Sequence, residues 1–418
     1  MIPSSGRRSV PTVLLIVCAL AVAIPLSIEQ GLRQQVGHDF HVFWQAGYNF
    51  ATGHPLYHGY PPGARPLKYP PFAALVFQPL AVFPLQVAGA LFSLLNLILW
   101  VVAVYLTREI VARTFPERNP STLPLVLAVL FTAQFFLDNF HHAQMNEVTF
   151  VLVLLGIHAY LHERDLRAAA YLVAATAIKI TPIFFVAWLV IRGRRRAVLA
   201  VPPLALACVL LPLLVRGPAT GAAELVEYYH FFLEGHQHGD LSQYTADQNL
   251  AAFVNRMTLQ QADAEHVSYR YLPTSERTAQ LTYRVLWAAV LLMFLAKLTL
   301  LRIRRAPLSA FELSLVFLAA LLLSPITFMA HLVSLLFVYY TFLSVRRDRL
   351  STTGRLVGAV LFVAMAVTGL SGRDLAGNTV HEAVGGYSVF VWTMLLMLAT
   401  AVVVAGRESA GSGAAIPP

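Results

Sequence analysis

About ten apolar windows, each long enough to cross some 30 Å of hydrocarbon as a helix, alternate along the chain with short polar or basic segments. Five lie near residues 10–29, 85–107, 121–137, 146–162 and 197–215, and five more near 282–301, 308–323, 328–345, 354–370 and 386–406. A further stretch, 168–191, carries Pro182 at its middle, where a proline breaks the helical ladder. It is flanked by arginines on both sides, so a single crossing would place the run Arg192, Arg194, Arg195 and Arg196 opposite the other basic clusters. Two half-length helices that enter, turn at Lys179-Ile-Thr-Pro182 and return satisfy both constraints. Such breaks occur at membrane depth only where they pack in protein or line a cavity. Residues 72–84 are apolar but too short to span, and read as a helix at the interface with Tyr69 and Phe72 as its aromatics.

Composition agrees with the pattern: 57% of the 418 residues are apolar and 12% charged, with a mean hydropathy of +0.65, against about 25% charged in soluble domains. The chain is therefore expected to be an all-α, polytopic integral membrane protein. Cys18 and Cys208 both sit inside apolar runs, which excludes a disulfide framework or a thiolate metal site. The net charge of +9 comes from basic residues at the ends of apolar segments. They read as topology signals and not as a nucleic-acid surface.

Short loops rich in Lys and Arg stay cytoplasmic. Arg7 and Arg8, Arg108, Arg113 and Arg118, Arg164 and Arg167, the 192–196 run, Arg302, Arg304 and Arg305, and Arg346, Arg347, Arg349, Arg355 and Arg407 are placed inside. Both termini are then cytoplasmic, and segments 30–71, 138–146, 216–281, the 324–327 turn and 371–385 face outward. Residues 1–406 form a single transmembrane domain, and Gly, Ala and Ser in 407–418 mark a disordered tail.

The polar groups sent outward are the candidates for chemistry. Asp39, between His38 and Phe40 just after the first span, is either a helix cap or ion-pair partner of Arg33 or a catalytic carboxylate, and its boundary position favours catalysis. Lys179 either caps a helix and pairs with Glu147 or meets an anion such as a lipid phosphate. His331, taken alone, reads as structural. His141 and His142 invite zinc, but adjacent helical residues point to different faces, so no metal site is assigned. The His236-Gln-His238-Gly-Asp240 cluster is assigned no role.

The block Asp39-Phe40-His41-Val42-Phe43-Trp44-Gln45-Ala46, followed by Gly53-His54-Pro55-Leu56-Tyr57 and Tyr69-Pro70-Pro71-Phe72, resembles the first-loop signature of glycosyltransferase family 87. Gln144-Met145-Asn146, Lys179-Ile-Thr-Pro182, Asp247-Gln248-Asn249 and Ser324-Pro325 through His331-Leu332-Val333 are similar to later motifs of that family. Ala143 stands where glycine is usual, and Ala330 where many members carry a first histidine of a pair. The resemblance covers about residues 10–345. It implies a GT-C-type helical bundle in the plasma membrane that moves a hexose or pentose, mannose foremost, from a polyprenyl-phosphate donor to a glycan or glycolipid on the extracytoplasmic face. Asp39 would be the general base of an inverting transfer, with Lys179 and His331 on the donor phosphate. His38, Gln144, Asn146 and Gln248 would orient sugar or acceptor, and Trp44, Tyr69 and Phe72 would line the entry of the lipid tail. No cofactor and no nucleic-acid partner is implied. A transporter would also use a broken helix, but in paired repeats, and a lipid-linked glycan polymerase or ligase would share the large outer loop.

Overall fold

A computed structural model describes residues 10–60, 63–115, 121–234, 241, 246–259, 271–346 and 350–406. The tail 407–418, the flanking residues Arg7, Arg8, Arg118, Arg347, Arg349 and Arg407, and His236, His238 and Asp240 lie outside these residues. No strand occurs among the described residues. The helices are α1 (Val10–Leu32), α2 (Asp39–Thr52), α3 (Pro71–Phe77), α4 (Leu85–Thr114), α5 (Thr122–His141), α6 (Asn146–Leu161), α7 (Asp165–Ile178), α8 (Ile183–Arg192) and α9 (Arg195–Arg216). They continue with α10 (Pro218–Tyr228), α11 (Leu250–Thr258), α12 (Glu276–Ile303), α13 (Ala310–Leu323), α14 (Leu335–Leu343), α15 (Thr352–Leu370), α16 (Arg373–Gly386) and α17 (Val389–Val404).

Every apolar window is helical, and the chain is a multi-pass membrane protein. Among the described residues, five helices, α4, α5, α9, α12 and α15, have both the length and the composition to cross alone. Helices α13 and α14 are shorter because their starts are cut by a polar cap and a tight turn. Ser309 accepts the Glu312 N–H at 3.2 Å and starts α13 two residues late, and Met329–Ser334 is a 3-10 turn that only then opens into α14. Segment 371–385, expected as a loop, is the helix α16, bent by 56° against α17. Segments 30–71 and 216–281, expected to face outward, likewise carry α2, α10 and α11. All fourteen residues of α13 are buried, so this helix is the axis of the bundle. Helix α9 buries only Ala197 and Pro212 and leaves one apolar side, including Leu199, Leu206 and Leu214, exposed.

The interrupted helix is a hairpin. Helices α7 and α8, about 21 and 15 Å long at 1.5 Å per residue, meet at Lys179-Ile-Thr-Pro182, and their far ends lie side by side. Arg194 donates to Asp165 at 2.7 Å and to the Tyr160 carbonyl at 2.6 Å. Arg192 is bidentate on the buried Glu312 at 2.8 and 3.0 Å, which also accepts from the Trp188 indole at 2.8 Å. This is the arginine-rich end of the molecule. The hairpin tip points to the other end, where α2 and the 324–331 segment gather.

Helix α2 lies across that end. Phe40, Phe43, Gly47 and Phe50 recur at spacings of three and four and bury one face. Gly47 is required there, because a Cβ would stand 2.6 Å from the Phe77 carbonyl of α3. The far end of α2 is tied down by Arg216, whose guanidinium pairs with buried Glu224 and donates to the Asn49 and His54 carbonyls at 3.1 and 2.7 Å.

Candidate active site

Asp39 is the first residue of α2, with His38 at the N-cap in extended conformation. Its carboxylate is 27% exposed and held from two sides. Gln144 Nε2 donates to Oδ2 at 2.6 Å, and Arg65 Nη1 donates to Oδ1 at 3.3 Å. Arg33 pairs instead with Glu29. The Gln144 amide is aimed by its own turn: Asn96, buried within α4, and Asn139 both donate to the Gln144 carbonyl, at 3.0 and 3.2 Å. Ala143 in that turn has φ +44°, in the left-handed region that favours glycine. This gives a physical reason for the glycine of the family pattern.

Lys179, at the hairpin tip and 7% exposed, donates to Asn146 Oδ1 at 2.6 Å, and its Nζ stands 5.8 Å from the centre of the Tyr69 ring. Asn146 in turn donates to Asn139 at 2.8 Å. The neighbouring Glu147 carboxylate is fully buried and neither oxygen has a hydrogen-bond partner. It acts on Lys179 through space, without an ion-pair contact. His331 Nδ1 accepts the Phe328 N–H at 3.1 Å. A neutral ring so held carries its proton on Nε2, as a donor.

These groups converge on one cavity of about 500 Å³, lined by Asp39, Arg65, Lys68, Tyr69, Lys179 and His331 among others. A second cavity, of about 930 Å³, adjoins it and also includes Asp39, Arg65, Gln144 and Phe328, together with His38. Asp39 therefore stands on the partition between two chambers. One chamber wall is cationic. Asn146 lies behind Lys179, in a small, mostly apolar recess of about 60 Å³ shared with His331.

The remaining expected residues lie beside the cavities and not on them. Trp44 stacks on Tyr48 and donates to the Phe83 carbonyl at 2.9 Å, and Phe72 packs into the aromatic cluster beneath α2. Gln248 is buried, with its backbone N–H on the Thr327 carbonyl at 2.7 Å. Its neighbours do the same work: Asp247 Oδ1 accepts the Thr327 N–H at 3.1 Å, and Asn249 donates to the Pro325 carbonyl at 2.7 Å. The Asp-Gln-Asn motif thus splints the segment that carries His331. Arg256 backs this splint, donating to the Asp247 carbonyl at 2.6 Å and to Ser388 at 2.8 Å. Burial lowers its guanidinium to about 10, against the pull of Asp247, so it stays charged at neutral pH. Sequence reasoning missed Arg65, Asn96 and Arg256. Only Asn96 left a local signal, an amide in the middle of an apolar span.

The family model of glycosyltransferase family 87 matches residues 67–325, well over half of the chain. Asp39 and His331 fall outside the matched stretch, and Gln144, Asn146, Lys179 and Gln248 fall within it. No curated protein matches the chain at a significant level. Among solved structures, the chain is similar to ArnT from Cupriavidus metallidurans bound to undecaprenyl phosphate, with 14% identity and a TM-score of 0.43 over 97% of this chain and 79% of that one. It is also similar to the same protein in the apo state, with 15% identity and a TM-score of 0.43 over 96% and 79%.

Proposed function

The chain belongs to glycosyltransferase family 87, and we propose that it moves a sugar, mannose foremost, from a polyprenyl-phosphate donor to a hydroxyl of a glycan or glycolipid, with inversion. The observation that carries the reading is the shared cavity, where the Asp39 carboxylate faces the cations Arg65, Lys68 and Lys179 and the Nε2 side of His331. A lone phosphate needs charge-assisted donors, and an attacking hydroxyl needs a base at the opposite face of the anomeric carbon.

In the reaction, Asp39 takes the acceptor proton as the acceptor oxygen bonds to the anomeric carbon. The bond from that carbon to the phosphate oxygen breaks, and polyprenyl phosphate leaves with the electron pair. Gln144 holds one carboxylate oxygen still, so the base needs no reorganisation. Lys179 and His331 meet the charge that grows on the leaving phosphate. No cofactor is needed for this displacement. Asn146 acts by aiming Lys179, and Gln248 by supporting the His331 segment, while His38 remains the sugar or acceptor contact. Tyr69 lines the tail entry, with Trp44 and Phe72 packed behind it.

The distribution of positive charge supports an arginine-rich end in the cytoplasm, and we take the two cavities to open on the extracytoplasmic face of a plasma-membrane protein. A Cys replacing exposed His58 then reacts with an impermeant reagent on intact cells, and one replacing Arg195 does not. Asp39→Asn and Asp39→Ala test the base. In membranes supplied with a panel of polyprenyl-phosphate sugars, transfer is expected to fall by about 100-fold or more, with protein level and donor binding preserved. Full activity in both variants would remove Asp39 from the mechanism.

A further inference from the structure

A third cavity, of about 500 Å³, opens at the arginine-rich end, at the opposite end of the hairpin from Lys179. It is large enough for a small ligand, and the transfer reaction uses none of its residues. Tyr160 forms one wall, with buried Trp188 packed edge to face behind it at 5.2 Å between ring centres. Arg302 and Arg305, from the end of α12, form the rim. Helix α12 has 28 residues and is about 42 Å long at 1.5 Å per residue, the thickness of a bilayer with its head groups. Its arginine end therefore reaches head-group level.

The lining is not balanced in charge. Three guanidinium groups, of Arg192, Arg302 and Arg305, stand against one carboxylate, Glu312, a surplus of two. Arg192 is committed to that carboxylate and to the Leu301 and Ala306 carbonyls, at 3.1 and 2.7 Å. Arg194, 4.2 Å from the centre of the Tyr160 ring, is matched by Asp165 and leaves the surplus unchanged. Arg302 and Arg305 are exposed, and neither has an ion-pair partner among the described residues. The backbone of the rim carries a second signal. The Ala306 N–H donates to the Leu301 carbonyl and the Arg305 N–H to the Arg302 carbonyl, both at 3.0 Å. These paired bonds close a helix through one left-handed residue, for which glycine is usual. Here that residue is Arg305, at φ +49°. A side chain kept where its backbone is strained is one whose chemistry is needed at that point.

We infer that this cavity binds a phosphate ester. The phosphate lies between Arg302 and Arg305, whose guanidinium groups suit its geometry and charge, and the organic part rests against Tyr160. The height of the site favours a lipid head group as the carrier, since basic pockets between spans at this level take up anionic lipid heads. A soluble phosphate ester presents the same group without acyl chains. The site is separate from the reacting groups and does not depend on the transferase reading.

The test uses the full-length protein in a neutral maltoside detergent and three probes: short-chain phosphatidylglycerol, the matching diacylglycerol without phosphate, and glycerol phosphate without chains. Titration calorimetry is expected to show phosphatidylglycerol bound at least tenfold more tightly than diacylglycerol. Arg302→Gln with Arg305→Gln abolishes this preference. Arg167→Gln with Arg355→Gln, which removes two exposed arginines from the same end, keeps it, and so does Lys179→Met, which separates this site from the one at the hairpin tip. Glycerol phosphate bound within tenfold of phosphatidylglycerol supports the site with a soluble ester as its ligand, and weaker binding supports it with the lipid. Equal binding of phosphatidylglycerol and diacylglycerol by the wild type, or an unchanged preference in the Arg302 and Arg305 double variant, would overturn the inference. Arg305→Gly keeps the test independent of folding, because glycine suits the left-handed position. Its unfolding temperature without probe is expected to equal or exceed that of the wild type, and its affinity for phosphatidylglycerol to fall at least tenfold. Unchanged affinity in Arg305→Gly would overturn the assignment of the phosphate to this rim.

Discussion

Replacing Lys179 by Met removes the cation at the hairpin tip while keeping the length of the side chain. Two unit charges about 4 Å apart interact by about 4 kcal/mol at the effective dielectric of roughly 20 that suits protein sites. The donor phosphodiester carries one negative charge, and the departing monoester gains up to one more. With about half of that gain developed in the transition state, the part felt only there is about 2 kcal/mol, or roughly 30-fold in kcat. The ground-state part is shared with Arg65 and Lys68 on the same wall, so KM for the donor is expected to rise by about tenfold. Losing the 2.6 Å bond to Asn146 leaves one acceptor oxygen unpaired, at about 1–2 kcal/mol of stability. Initial rates at saturating donor in nanodiscs separate kcat from KM, and thermal unfolding at one scan rate reports the stability cost. A kcat within threefold of wild type in a folded Lys179→Met protein would refute the reasoning and place the leaving phosphate elsewhere.

Three further outcomes follow from contacts away from the reacting atoms. Asn96→Leu, which removes a donor to the Gln144 carbonyl from inside α4, is expected to lower kcat by about fivefold at unchanged donor KM, since about 1 kcal/mol of support for the Asp39 partner is lost; steady-state kinetics check it. Glu312→Leu strands the Arg192 guanidinium in the core at a cost of about 3–5 kcal/mol, whereas Arg192→Met with Glu312→Leu recovers most of it, so the order of unfolding temperatures is wild type, double variant, single variant. Ala143→Val puts a β-branched side chain at φ +44° in a fully buried turn and is expected to destabilise by about 2 kcal/mol or more, while Ala143→Gly stays within about 1 kcal/mol of wild type by the same unfolding assay.

The membrane architecture was readable because apolar windows and helix breakers are local signals. Pro182 with its flanking arginines gave the hairpin, and the Arg194 to Asp165 contact closes it as the charge argument requires. Helices α2, α10, α11 and α16 were not readable in the same way. They are mixed in polarity, so a search for continuous apolar length passes over them. The site was half readable. Asp39, Gln144, Asn146, Lys179 and His331 stood out as polar groups at the ends of spans, but nothing local says that Gln144 faces Asp39, 105 positions earlier. Likewise, Gln248 could be recognised as part of a motif but not as a splint, because its partner Thr327 lies about 80 positions on.

Asn96 and Arg256, which escaped sequence reasoning, share one physical role with Asn139, Asn249 and Arg216, and that role explains why the site sits where it does. Asp39 opens a helix, Asn146 opens another, Lys179 occupies a break and His331 a 3-10 turn. Each therefore stands where backbone carbonyls or amides have lost their helical partners. In a membrane protein such groups must be satisfied from within or open onto a cavity. Asn96 and Asn139 serve the Gln144 carbonyl, Asn249 those of Ser324 and Pro325, Arg256 that of Asp247, and Arg216 those of Asn49 and His54. The amides and arginines that look misplaced among apolar neighbours are what make a rigid polar chamber possible there. The same logic predicts that their loss is felt first in the placement of Asp39 and His331 and only then in the stability of the bundle, whose axis, α13, lies deeper.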